Sequence, residues 1–161
     1  VWCWAPGCID LDRGTFSIQA VRETTGFTVE ELEAGTFQVI STEAGRRAGL
    51  PDQFGPDADQ KPRLAVRPEK GDIVLATYRD GKPAVVLRPG TAPQLFCGTT
   101  ELPPPLLRHM AELSGVQIFT DRPANVYANP HFRAVNAPED GIYRAGERQL
   151  HLKKGETAIL P

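Results

Sequence analysis

The chain has 161 residues, with 18 basic against 20 acidic side chains and a formal net charge of −2. That length suits one domain with a small appendage, and the near-balance of charge excludes the broad positive field that nucleic-acid binding relies on. The apolar runs span only a few residues, far short of the roughly 20 needed to cross a bilayer, so a soluble chain without a membrane partner is expected.

The start, Val1-Trp2-Cys3-Trp4, reads as a buried strand entered from the middle of a chain, so a longer parent is expected and the compartment depends on what precedes it. Pro6-Gly7 ends that strand, and a loop from Cys8 to Thr15 carries Asp10 and Asp12. Ser17 is an N-cap for a short helix running to about Thr25, and Gly26 supplies its left-handed stop. Thr28 to Leu32 and Thr36 to Thr42 alternate enough to be extended. Glu43 to Arg63, rich in glycine and proline, is expected to be a long surface loop. Ile73 to Tyr78 and Pro83 to Leu87 are β-branched runs joined through Asp80-Gly81, a strong hairpin cue.

Gln94 to Cys97 follows as a strand that breaks at Gly98. Pro103-Pro104-Pro105 opens a helix whose Leu106, Leu107, Met110, Ala111 and Leu113 form one stripe, closed by Gly115. Val116 to Thr120 is expected as a strand. Val126-Tyr127, Phe132 to Val135, Gln149 to Leu152 and Thr157 to Leu160 follow as short strands between turns. The alternation of strands and helices predicts an α/β fold over 1–120 with an antiparallel β-rich C-terminal extension over 121–161.

Trp2-Cys3-Trp4-Ala5-Pro6-Gly7 with a following Asp resembles a strand and loop of bacterial β-galactosidase-like multidomain proteins. In those proteins it lies in an α/β domain after the catalytic barrel. Glu23-Thr24-Thr25-Gly26-Phe27 resembles the same domain. So do Asp80-Gly81-Lys82-Pro83-Ala84-Val85, Phe96-Cys97-Gly98, and Ala111-Glu112-Leu113-Ser114-Gly115-Val116. Val126-Tyr127-Ala128-Asn129, Phe132-Arg133-Ala134-Val135 and Gln149-Leu150-His151-Leu152 continue the likeness, which leaves 43–63 unmatched. The resemblance implies a flavodoxin-like or class I glutamine amidotransferase-like sheet, partial here, of the kind that serves trimerisation in family 42 glycoside hydrolases. It also implies a homo-oligomer formed through the α/β domain, with carbohydrate handled by the full-length protein in a separate barrel.

The chemistry on offer is sparse. Retaining glycosidases need two carboxylates about 5 Å apart, and inverting ones about 6.5–9.5 Å, in an enclosed cleft. Asp10/Asp12, Glu30/Glu31 and Glu139/Asp140 are the available pairs, and all fall on polar loops or solvated faces. Cys97, with Asp121 and His131 downstream, has the order of a cysteine–histidine–acid triad for an amidotransferase-type enzyme. Phe96 before the thiol, however, departs from the small flanks of a nucleophile elbow. His109, His131 and His151 lie 22 and 20 residues apart, without zinc spacing, so no metal is expected. Gly7, Gly14, Gly90 and Gly98 form no nucleotide fingerprint, so no cofactor is expected. Three cysteines, Cys3, Cys8 and Cys97, are read as plain thiols. Trp2 and Trp4, alternating on one strand face, are candidates for a sugar or subunit contact. With Tyr127, Tyr143 and the β-rich tail, they support a carbohydrate-binding module as the alternative to a structural scaffold.

Overall fold

A computed structural model describes all 161 residues. The chain divides into two compact units, Val1–Gly115 and Val116–Pro161.

The first unit begins with β1 (Trp2–Cys3), β2 (Ile9–Asp10), β3 (Thr15–Phe16) and α1 (Ile18–Thr25). It continues with β4 (Val29–Leu32), β5 (Gly35–Thr36), β6 (Val39–Ser41), α2 (Glu43–Arg47), β7 (Gln53–Phe54), β8 (Asp59–Gln60) and β9 (Arg63–Val66). The hairpin β10 (Ile73–Tyr78) and β11 (Pro83–Arg88), then β12 (Gln94–Cys97) and α3 (Pro104–Leu113), complete it. Six strands form the main sheet in the order β1-β12-β11-β10-β6-β7. Every neighbouring pair is antiparallel except β1 with β12.

This is a mostly β protein of antiparallel sheets with three helices, so the expected flavodoxin-like or amidotransferase-like α/β sheet is overturned. The physical reason lies in the connections. A parallel sheet needs a crossover of a dozen or more residues, usually a helix, between successive strands. Here 79–82 and 89–93 are short turns, so β10, β11 and β12 can only pair antiparallel.

The sheet is covered on both sides, which explains why β11 is apolar without alternation. Val86 and Phe96 turn toward Val21, Phe27 and Leu64. Val85, Leu87, Leu95 and Cys97 turn toward Leu75, Leu106 and Met110. Helix α1 is capped as its sequence predicts: the Ser17 side chain accepts from Ala20 N–H, and Gly26 is left-handed at φ 74°. It buries Val21 and Thr25, one turn apart on a single face. Helix α3 starts on prolines and buries Leu106 and Met110 at the same spacing.

Three further expectations are corrected. The stretch 43–63 is not one loop: it holds α2, β7 and β8. Thr42 caps α2 by accepting from Gly45 N–H, a signal hidden among its glycines. Val116 to Thr120 forms no strand. The first strand stops at Cys3, because Trp4 takes φ 63° and turns the chain away.

The second unit holds β13 (Asn125–Ala128), β14 (Arg133–Asn136), β15 (Gly141–Ala145), β16 (Arg148–Leu152) and β17 (Thr157–Leu160). They form the sheet β13-β14-β17 and the hairpin β15-β16, with antiparallel pairing throughout. Val135, Tyr143, Leu152 and Leu160 form its small core. No helix is long and apolar enough to cross a membrane.

Candidate functional site

The residues singled out by sequence separate into different surroundings. Trp2 pairs in register with Phe96 and packs, half-buried, against the Val21, Phe27 and Phe96 cluster. Trp4 has left β1, so the two indoles do not share a strand face. Its indole N–H donates to Pro62 O at 2.9 Å and its backbone N–H to Cys97 O at 2.7 Å. A non-glycine residue in that backbone region costs of order 1–3 kcal/mol, and these two bonds hold it there.

Cys97 is completely buried at the end of β12. Asp121 and His131 lie in the second unit, each engaged by backbone groups there. The Asp121 carboxylate accepts from Arg144 N–H at 2.8 Å, while His131 donates its backbone N–H to Asn129 Oδ1 at 2.8 Å in the turn after β13. Tyr143 is core: its ring lies under the Arg122 guanidinium and its hydroxyl donates to Glu139 O.

The structure instead gives Cys97 a neighbour that sequence reasoning left as a plain thiol. Cys3 on β1 is its direct register partner in the one parallel pairing of the sheet, so both thiols point to the same side. Cys3 Sγ donates to Thr99 O at 3.4 Å and Cys97 Sγ to the same oxygen at 3.6 Å. A hydrogen bond between the two thiols, outweighing partial burial, lowers Cys3 to about 7. The same bond, together with burial, pushes Cys97 well above the ordinary thiol range. Cys3 is therefore the more acidic thiol of the pair and Cys97 the less acidic. All three cysteines are free thiols. The one sequence signal for this pairing is the twice-occurring aromatic–cysteine step, Trp2-Cys3 and Phe96-Cys97, each at a strand end.

At least one carboxylate of each pair is occupied by a structural task. Asp10 Oδ1 accepts from the backbone N–H groups of Asp12 and Arg13, closing the β2–β3 turn. Glu30 bridges Lys82 and Arg67, each at 2.9 Å, and the Lys82 bond above all holds its carboxyl below the usual range. Glu139 pairs with Arg122, and Asp140 accepts from Lys154 N–H. No cluster of three or more histidine, cysteine or acidic side chains is placed to hold a metal.

An open concavity of about 1010 Å³ runs between the 5–13 loop and α1. Cys8, Asp12, Arg13, Gln19 and Glu23 line it. Beside it, Ile9 and Phe16 face each other across the β2–β3 hairpin, half exposed, and Leu11 at its tip is 93% exposed. No family model matches this chain, and no curated protein matches it.

Proposed function

We propose that this chain is a non-catalytic portion of a larger β-galactosidase-like sugar hydrolase, serving subunit assembly while the glycosidase barrel lies outside these residues. The order of motifs quoted above supports the parentage. The observation that carries the assembly role is the β2–β3 hairpin, which holds Ile9, Leu11 and Phe16 together in solvent. Contiguous exposed apolar groups on a folded surface mark interaction sites. The reading is consistent with the structural tasks of Asp10, Glu30, Glu139 and Asp140. The occupant we propose is a second copy of this chain.

Light scattering on the purified chain is expected to return a multiple of the chain mass, and Leu11→Glu is expected to shift it toward monomer. A monomeric parent chain at tens of micromolar, or turnover of a simple glycoside by it, would sink the proposal.

A second reading, carbohydrate binding, is favoured by one feature. On the outer face of β13-β14-β17, Tyr127 is 69% exposed and Ile159 73%, flanking Ala134 on the central strand. A sugar ring stacks its C–H face on such an aromatic. Titration calorimetry with millimolar oligosaccharide is expected to register heat in the parent chain that Tyr127→Ala loses. Equal heats from both would remove Tyr127 as the platform.

A further inference from the structure

We propose that Cys3 and Cys97 form a thiol–disulfide exchange site, in which Cys3 takes up a small organic disulfide and Cys97 resolves it into a bond between strands β1 and β12. The geometry carries the inference. The two residues are direct register partners, so their backbones stand one strand spacing apart, about 4.8 Å. That lies inside the window of about 4.4–6.8 Å between Cα atoms that a disulfide accepts. Both side chains point to the same side, and both thiols already reach one acceptor, Thr99 O.

Access is divided in the way such chemistry needs. Cys3 is partly exposed and open to a reagent from solvent, whereas Cys97 is buried behind it, its Sγ also reaching Thr99 O and Glu101 O. Tyr78 and Gly98 hold the buried half in place, since the Tyr78 hydroxyl reaches Gly98 O at 2.9 Å, one residue past Cys97. The β1 half is lighter, two residues long at the sheet edge, so it can adjust as the bond forms.

The steps balance without any group beyond the named co-reactant. The Cys3 thiolate attacks one sulfur of the small disulfide, the S–S bond breaks, and one small thiolate leaves. Cys97 then gives its proton to the departing second small thiolate and its sulfur attacks Cys3. Two protein thiols are oxidised, and one small disulfide is reduced to two thiols. Exposure assigns attack to Cys3, whose lowered pKa supports that role, and adjacency assigns resolution to Cys97, which gives up its proton as it attacks.

The test uses the full chain carrying Cys8→Ser, which removes the remaining competing thiol, incubated with oxidised glutathione at neutral pH. Intact mass is expected to fall by two hydrogens, with peptide mapping under non-reducing conditions linking Cys3 to Cys97 and dithiothreitol reversing both. Adding Cys97→Ser is expected to stop the reaction at one glutathionyl adduct on Cys3. Because that buried substitution can impair folding, iodoacetamide labelling of the Cys8→Ser chain gives a second readout. Cys3 modification should rise with pH and reach half its plateau near pH 7. An unchanged mass, an adduct that persists while Cys97 is present, links only between molecules, or a half-rise near the ordinary thiol value of 9.0 would each overturn the assignment.

Discussion

Gly98→Ala is expected to destabilise the larger unit by about 3 kcal/mol, the sum of overpacking and of hydrogen bonds forced apart. A Cβ at this position would stand 2.6 Å from the Tyr78 hydroxyl, 2.7 Å from Leu64 O and 3.1 Å from Ala84 O. Two of those three obstacles are backbone carbonyls of neighbouring strands, so no side-chain rotation relieves the clash. The third is an almost wholly buried tyrosine whose hydroxyl serves Leu64 O and Gly98 O at once. Arg63 closes the corner from above, with its guanidinium 4.3 Å from the Tyr78 ring and 2.8 Å from Asp80. Burial pushes the Tyr78 hydroxyl far above its usual range, so it stays a donor across the accessible pH. Urea unfolding followed by the emission of Trp2 and Trp4, both in this unit, provides the measurement. An unaltered midpoint would mean that the Tyr78–Leu64–Gly98 junction does not form in solution.

The second large effect belongs to Asp72. Its carboxylate is 2% exposed and grips Arg88 through two bonds, at 2.9 and 3.0 Å, while also accepting from Glu69 N–H. Arg88 lies 4.5 Å over the Phe27 ring and donates to Gly26 O, so the pair ties the end of α1 to β11. Asp72→Ala is expected to cost about 2–3 kcal/mol, below the figure for a fully buried pair because Arg88 is 27% exposed.

The pH dependence follows from the same contact. The Arg88 hydrogen bonds, opposed by burial, hold the Asp72 carboxyl below the usual aspartate range. A depressed folded-state value contributes stability that is fully present above the ordinary aspartate pKa, about 3.9. It is lost as pH falls through the lowered value. The gap between the parent chain and Asp72→Asn should therefore be widest near neutrality and narrow in acid. Urea midpoints at neutral and acid pH decide this, and a gap that stays constant would rule out an ionised pair as the source. Glu30, also held low by Lys82 and Arg67, acts in the same direction, with its contribution reduced by exposure of both partners.

Local chemistry was legible where it acts over a few residues. Ser17 and Gly26 bracket α1 as their residue types dictate, since a side-chain acceptor and a left-handed glycine satisfy groups that any helix end leaves open. Asp80-Gly81 closed the β10–β11 hairpin, with Gly81 at φ 80°. The prolines before Leu106 opened α3. Thr42 was the local signal that went unread, because the glycines and prolines around it suggested a loop. Strand β15, hidden in Gly141 to Ala145, was missed as well, since it acquires its character only by pairing with β16.

The candidate site was less legible. Asp121 and His131 stood in an order that a triad uses, yet Asp121 pairs with the backbone of Arg144 on β15 and His131 bonds within its own turn. Cys3 carried no mark of its own, because a thiol acquires meaning from what stands opposite it.

The ends of α1 and α3, the β10–β11 hairpin and the absence of any dominant charge are written in short stretches of the chain. Tertiary structure alone decided that the strands pair antiparallel in separate sheets and that β1 joins β12 in parallel. It also set Cys3 beside Cys97, 94 positions further along the chain. The physical reason is range: caps and turns are closed by bonds across a few residues, whereas strand order and register are set by which apolar faces find cover, and no local stretch of chain encodes that partner.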